Sequence, residues 1–334
     1  MSTSSPLPTG RTGQESLPTT ARSRLALDQF LTLGAVIVLF AVFSITAKNF
    51  FTVRNVLSLA LQTSTTTLMG IGVTFTIITA GIDLSIGSVV AFTGTVAVMA
   101  ALAGVPIWLS WVVGVGVGAV IGLLNGLMIT GMKLPPFIAT LGMTYVVRGV
   151  ALTITNANAK PAPETFGSLG NDTLFRTGPQ FPGISYPVLI MIVVALLCGF
   201  LLRRTRTGRY TFAIGSNEEA ARLSGIRVSW VKVFNYLLCS AIAGLVGVIL
   251  ASRMVTSQPN SAIGYELNAI AASVIGGTSL MGGVGTILGT VIGSFIIGIL
   301  TVGLTMQGAN YFMQQIVIGL VVIGAVWFDQ IRRK

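Results

Sequence analysis

The chain of 334 residues has no histidine and only two cysteines. Without histidine it lacks the commonest general base, the H-E-x-x-H zinc motif and every histidine-based triad, so no catalytic residue suggests itself. Cys198 and Cys239 stand far apart in apolar runs with no C-x-x-C spacing. That pattern points away from a disulfide framework or a metal site and reads as two buried small hydrophobes. Acidic residues are scarce as well, nine against twenty Lys and Arg. No G-x-x-x-x-G-K-[ST] occurs, so the chain carries no P-loop for ATP. No polar stretch is long enough to fold a sizeable soluble domain.

What the chain has in excess is apolar surface: 53% of residues are hydrophobic and only 9% charged. Runs of about twenty apolar residues, the length that crosses a bilayer as a helix, recur from end to end. The fold class expected is all-α, a polytopic membrane protein. Spans are read near 28–47, 55–80, 86–104, 107–130, 135–156, 184–202, 232–252, 266–280, 284–305 and 309–328. The eighth is short and Gly-rich, so re-entrance is its alternative. Positive charge decides the count. Arg11, Arg22 and Arg24, the loop from Arg203 to Lys232, and Arg332, Arg333 and Lys334 are all placed inside by the positive-inside bias, and ten spans satisfy all three. The same bias accounts for the net charge of +11 without nucleic acid. Residues 1–27, rich in Ser, Thr, Pro and Gly, are expected as a disordered cytoplasmic tail, 28–328 as the membrane domain and 329–334 as a cytoplasmic tail. An uncleaved first span is preferred to a signal peptide, because the run ends without a small-residue cleavage site. Loops 156–187 and 253–266 then fall outside.

Within the spans, glycines recur every four residues at Gly114, Gly118, Gly122 and Gly126, and again at Gly285, Gly289 and Gly293. Such stripes let helix backbones approach closely in lipid. A weak echo, G-x-x-L-x-x-G, joins 81–87 to 277–283 and suggests an internal repeat. Polar groups in the membrane are few: Asp83 with Ser85, Asn125, Arg148, the run at 62–67, and Asn310, Gln314 and Gln315. Hydroxyls in spans mostly bond their own helix. Carboxamides and hydroxyls also suit a passage for a neutral polyol, exchanging hydrogen bonds without trapping an ion. Asp83 precedes a span, where parity puts it near the cytoplasmic end. The leading reading is a helix cap, with a salt bridge to Arg148 or direct substrate or proton handling as alternatives.

One soluble-looking stretch interrupts the oil, GSNEEAARLSGIR at 215–227. Ser216 with Glu219 three residues on has the form of a capping box, Glu218 and Glu219 suit the positive end of a helix, and Gly225 can end it. Ala220, Ala221, Leu223 and Ile226 lie among the charges on a helix too short for a core of its own. Such a surface suits docking to another protein.

The segments GIDLSIGS at 81–88, AIGSNEEAARLSGI at 213–226 and SVIGGTSLMGGVGTILGTVIGSFIIGIL at 273–300 resemble the membrane permeases of ribose-type carbohydrate ABC importers. The resemblance runs in matching order over nearly the whole chain after residue 28. It implies a coupling helix near 217–226, with Glu218, Glu219, Ala220, Ala221, Arg222, Leu223, Gly225 and Ile226 docking an ATPase subunit. It also implies two permease subunits, a second copy or a homologue, two nucleotide-binding domains often fused in one chain, and an external or periplasmic sugar-binding protein. ATP and Mg would belong to the ATPase, leaving no cofactor here, and the site would be the cell inner membrane with both termini cytoplasmic. Two other classes stay open: a proton-coupled secondary transporter working through Asp83, and a membrane scaffold that moves nothing.

Overall fold

The computed structural model describes residues 19–178 and 181–333. Among these residues, apart from four two-residue strands, the regular structure is helical. In order it comprises α1 (Thr19–Thr46), α2 (Val53–Ile78), α3 (Ile86–Leu102), α4 (Ile107–Gly131), α5 (Pro136–Thr155) and the short α6 (Ser168–Asn171). It continues with α7 (Tyr186–Arg204), α8 (Arg206–Ser216), α9 (Glu218–Leu223), α10 (Val228–Met254), α11 (Tyr265–Ile275), α12 (Ile287–Met306) and α13 (Tyr311–Arg333). Among the described residues six helices, α2, α4, α5, α7, α10 and α12, are long and apolar enough to cross a membrane. Four shorter apolar helices, Thr32–Thr46, Ile86–Leu102, Tyr265–Ile275 and Tyr311–Gly324, stand where the remaining expected spans were read. The backbone is helical from Thr19, ahead of the expected start of the first span at 28. Residues 1–18 of that tail lie outside the described residues.

Helix ends follow local chemistry. Thr52 caps α2 by accepting from the Asn55 amide, and Thr286 caps α12 by accepting from the Gly289 amide. Pro136 opens α5, where its missing N–H costs nothing, and Asn156 closes it in the left-handed conformation at φ 52°. Asn310 caps α13, its Oδ1 accepting from the Met313 amide at 2.9 Å.

At the centre stands α10, packed against α2, α3 and α4. The first glycine stripe is the seam. Gly118 lies against Ser240 and Gly244 of α10, Gly122 against Tyr236 and Leu237, and Gly126 against Val233. In the second stripe Gly289 and Gly293 face Gly276 and Ala272, drawing α12 onto α11. Close packing is therefore what both stripes do. Large apolar side chains such as Ile45, Tyr145 and Phe200 remain exposed on the periphery, as lipid-facing residues do.

The two long loops expected outside meet each other. Strands β1 (Lys160–Pro161) and β4 (Thr256–Ser257) pair antiparallel, and β2 (Thr173–Leu174) pairs with β3 (Ile184–Ser185). The Ser252 hydroxyl donates to Phe166 O at 2.7 Å and accepts from the Gly170 amide at 2.8 Å, so α6 closes over the end of α10. On the opposite end, α8 and α9 form the helical insert between α7 and α10.

Candidate functional site

Helix α9 is a six-residue helix whose two faces do different things. Its cap is Asn217, whose Oδ1 accepts from the Ala220 amide at 2.9 Å. Ser216, the expected cap, is instead the last residue of α8, and its hydroxyl donates to Phe212 O. Gly225 takes φ +81° and turns the chain away as expected. Ala221 is buried with Ile214, Val228 and Val231, with Ile226 packed alongside, so these two of the expected docking residues anchor the helix. Glu218 anchors it too, its carboxylate pairing with Lys232 Nζ at 2.6 Å and Arg222 Nη2 at 3.2 Å. Glu219, Ala220, Arg222 and Leu223 face outward, Leu223 at 85% exposure. Leu223 thus stands exposed beside Glu219 and the Arg222–Glu218 pair. One turn upstream, Gly215 lies flush against Ile78 O and Gly283 N, a contact no side chain larger than hydrogen would permit.

Asp83 is fully buried. Its Oδ1 accepts from the Ser85 amide at 2.9 Å and the Ser85 hydroxyl at 2.6 Å, and Ser240 Oγ donates to Oδ2 at 3.4 Å. Asn125 Nδ2 donates to Ser85 Oγ at 2.9 Å. Asp83, Ser85 and Asn125 thus meet, and the carboxylate organises the turn that leads into α3. Thr140, in the first turns of α5, bonds Ile82 O and Leu84 N on either side of Asp83. Two expectations change. Ser85, not Asp83, holds the N-cap position of α3, and Asp83 grips the turn before it. Arg148 is not its partner either, because its Nη1 donates to Pro259 O and Ser261 O, each at 2.7 Å. Among the described residues no cation pairs with Asp83. Three donors in its place offset an insertion cost of about 3 kcal/mol for an interior carboxylate.

A cleft of about 420 Å³ opens between α2, α11, α12 and α13. Gln62, Thr65, Thr66, Asn268, Gln314 and Gln315 give its lining a carboxamide and hydroxyl character. Thr65 Oγ1 donates to Gln62 O, the local bond expected of a hydroxyl in a span. Thr63, also in the lining, has a buried hydroxyl with no partner. Gln314 Nε2 is held by Thr305 Oγ1 and Ala309 O, both at 3.0 Å. Asn310 is exposed and acts as a cap, outside the lining.

The sequence profile described as "Branched-chain amino acid transport system / permease component" matches residues 55–326. The chain belongs to this family. It is 42% identical to the ribose import permease protein RbsC of Escherichia coli K12 over 301 residues, 89% of this chain and 92% of that one. It is 42% identical to RbsC of Bacillus subtilis 168 over 294 residues, 88% and 90% of the two chains. It is 37% identical to the L-arabinose ABC transporter permease protein AraH of Azospirillum brasilense over 319 residues, 94% and 92%. The chain is a transport component, a polytopic membrane permease.

Several residues of the permease escaped sequence reasoning. Asn268, Arg253 and Tyr311 line the cleft from three separate elements. No spacing rule joins them. Thr74 Oγ1 meets Ser273 Oγ at 2.9 Å and Thr290 Oγ1 at 2.7 Å, a buried hydroxyl cluster fastening α2 to α11 and α12. Its members are 199 and 216 residues from Thr74, beyond any local signal.

Proposed function

We propose that the permease carries a monosaccharide inward across the inner membrane, driven by a separate ATPase and fed by an external sugar-binding protein. The observation that carries the reading is the polar cleft: it offers a neutral polyol many weak hydrogen bonds and no fixed acid to hold it. The names of the relatives, which are permeases for ribose, D-allose and L-arabinose, support the same class of cargo. The outward face of α9 is where the ATPase docks, with both termini on that cytoplasmic side. The paired loops 156–187 and 253–266 receive the binding protein. Ten spans, a second permease subunit, and ATP and Mg on the ATPase complete the assembly. Asp83 is not in the cleft lining, which weighs against a proton carrier.

Reconstitution tests this directly. Vesicles holding the permease and its ATPase, with binding protein outside and ATP inside, should accumulate labelled ribose, D-allose or L-arabinose. Asn268→Leu should lower uptake about tenfold at matched abundance, since a lost hydrogen bond to an uncharged partner is worth about 1 kcal/mol and the leucine also narrows the cleft. Uptake driven by a pH gradient without ATP, or full activity of the leucine variant, would overturn the reading.

A further inference from the structure

A second cavity, of about 550 Å³, lies between the turn joining α4 to α5, the edge of α9 that carries Glu218 and Arg222, and the first turns of α10. Lys133, Arg222 and Lys232 line it, with Glu218 as the acid among them. Glu218 already pairs with Arg222 and Lys232, so three cations stand against one carboxylate. Lys133 makes no ion pair among the described residues. Its backbone is left-handed, φ +55°, a conformation in which glycine or asparagine would be cheaper, so a lysine there is unexplained by the turn alone. Ser229 and Pro136, in the first turns of α10 and α5, also line the cavity. Neither helix has a side-chain cap, and the free amides of α10 add partial positive charge.

We propose that this cavity binds the phosphate of an anionic phospholipid of the cytoplasmic leaflet. A phosphate ester is the group that three converging cations and free amides suit. The rim points to a lipid rather than a soluble ester: Met132, Phe137 and Trp230, next in sequence to lining residues, are 68%, 50% and 70% exposed. An exposed tryptophan beside a basic pocket is the arrangement of a membrane interface, where acyl chains lie along the apolar rim. The bound phosphate would share Lys232 and Arg222 with Glu218, tying α9 to the α4–α5 turn. The leaflet named here rests on the orientation proposed above; the binding itself does not.

The test uses the purified full chain in nanodiscs, which expose both faces and need neither orientation nor ATPase. Phosphatidylcholine discs with and without phosphatidylglycerol are compared by native mass spectrometry for retained lipid and by thermal unfolding. Phosphatidylglycerol should be retained in preference to phosphatidylcholine and should raise the midpoint. Lys133→Asn, which suits the left-handed backbone, should weaken phosphatidylglycerol binding about fivefold, whereas Lys48→Asn at an exposed site should not. Equal retention of the two lipids, or of phosphatidylglycerol by wild type and Lys133→Asn, would overturn the proposal. Equal stabilisation by inorganic phosphate in phosphatidylcholine discs would also overturn it, by assigning the cavity to a soluble anion.

Discussion

Two glycines on one helix offer a controlled test of the seam that builds the bundle. A Cβ at Gly118 would stand 2.5 Å from Ser240 O and 2.9 Å from Gly244 Cα, both on α10. Ordinary contact begins at 3.4 Å, so α4 and α10 would have to separate by roughly 0.9 Å (3.4 minus 2.5), and both atoms are backbone, which cannot swing aside. Gly116, two residues earlier on the same helix, is exposed and has nothing within 4 Å of its Cβ position. Alanine at either position gains about 0.5–1 kcal/mol of helix preference over glycine. That gain cancels in the comparison. What remains is overpacking at Gly118 alone, about 1–3 kcal/mol. Thermal unfolding of Gly118→Ala and Gly116→Ala in one detergent should therefore place the first at least roughly 2 °C below the second. Equal midpoints, or a higher one for Gly118→Ala, would mean that the seam is looser than the α4–α10 geometry states.

Two further predictions concern α9 and Asp83. Glu219→Lys with Gly225→Val reverses a charge on the outward face and forces a branched residue into the left-handed region, so the pair should abolish ATP-dependent uptake while leaving binding-protein docking intact. Co-purification with the ATPase at normal yield together with normal uptake would remove α9 from the coupling role. Asp83→Asn keeps a carbonyl for the Ser85 amide and should retain most uptake, while Asp83→Leu strands that amide and two hydroxyls at about 1–3 kcal/mol for each group left buried and should reduce folded protein. Equal loss of uptake in both at matched membrane abundance would return Asp83 to the functional charges.

The class of the fold was legible because apolar runs of helical length admit few other readings, and the turn at Gly225 is a local signal; Asn310, read as a polar group within a span, is the cap of α13. The partners of the connector after Ile78 were not legible: Thr140 and Ser240, which hold it, come from α5 and α10, far along the chain. Span counting also makes 266–280 look like a deficient span, and α11 is a short helix that follows β4 and a run of turns. Asn217 and Ser216 are both good caps and adjacent, so only the course of α8 separates them. The cleft drew on α2, α11, α12 and α13, and a single sequence carries no record of which faces of distant helices meet.

The glycine at 215 links the two halves of the candidate site. It seats the end of α8 on Ile78 O, the last turn of α2, and on Gly283 N, in the connector that leads to α12; Gly283 N in turn donates to Ile78 O at 2.9 Å. The end of α2 and the α11–α12 connector thus meet in one junction; Asn217 leads from it into α9, which α10 holds in turn through Val228, Val231 and Lys232. Sixteen residues up α2, about 24 Å away at helical rise, Gln62 and its neighbours line the cleft. There Gly298 of α12 sits on Thr63, and between the two levels Thr74 binds Thr290. Pinned at three heights, α2 and α12 resist small sliding steps past one another. Helix α2 is seated as closely on α10, where Gly72 lies against Cys239, and α9 is tied to α10 through Glu218 and Lys232, so the cleft wall, the junction and the α4–α10 seam are parts of one continuous packing.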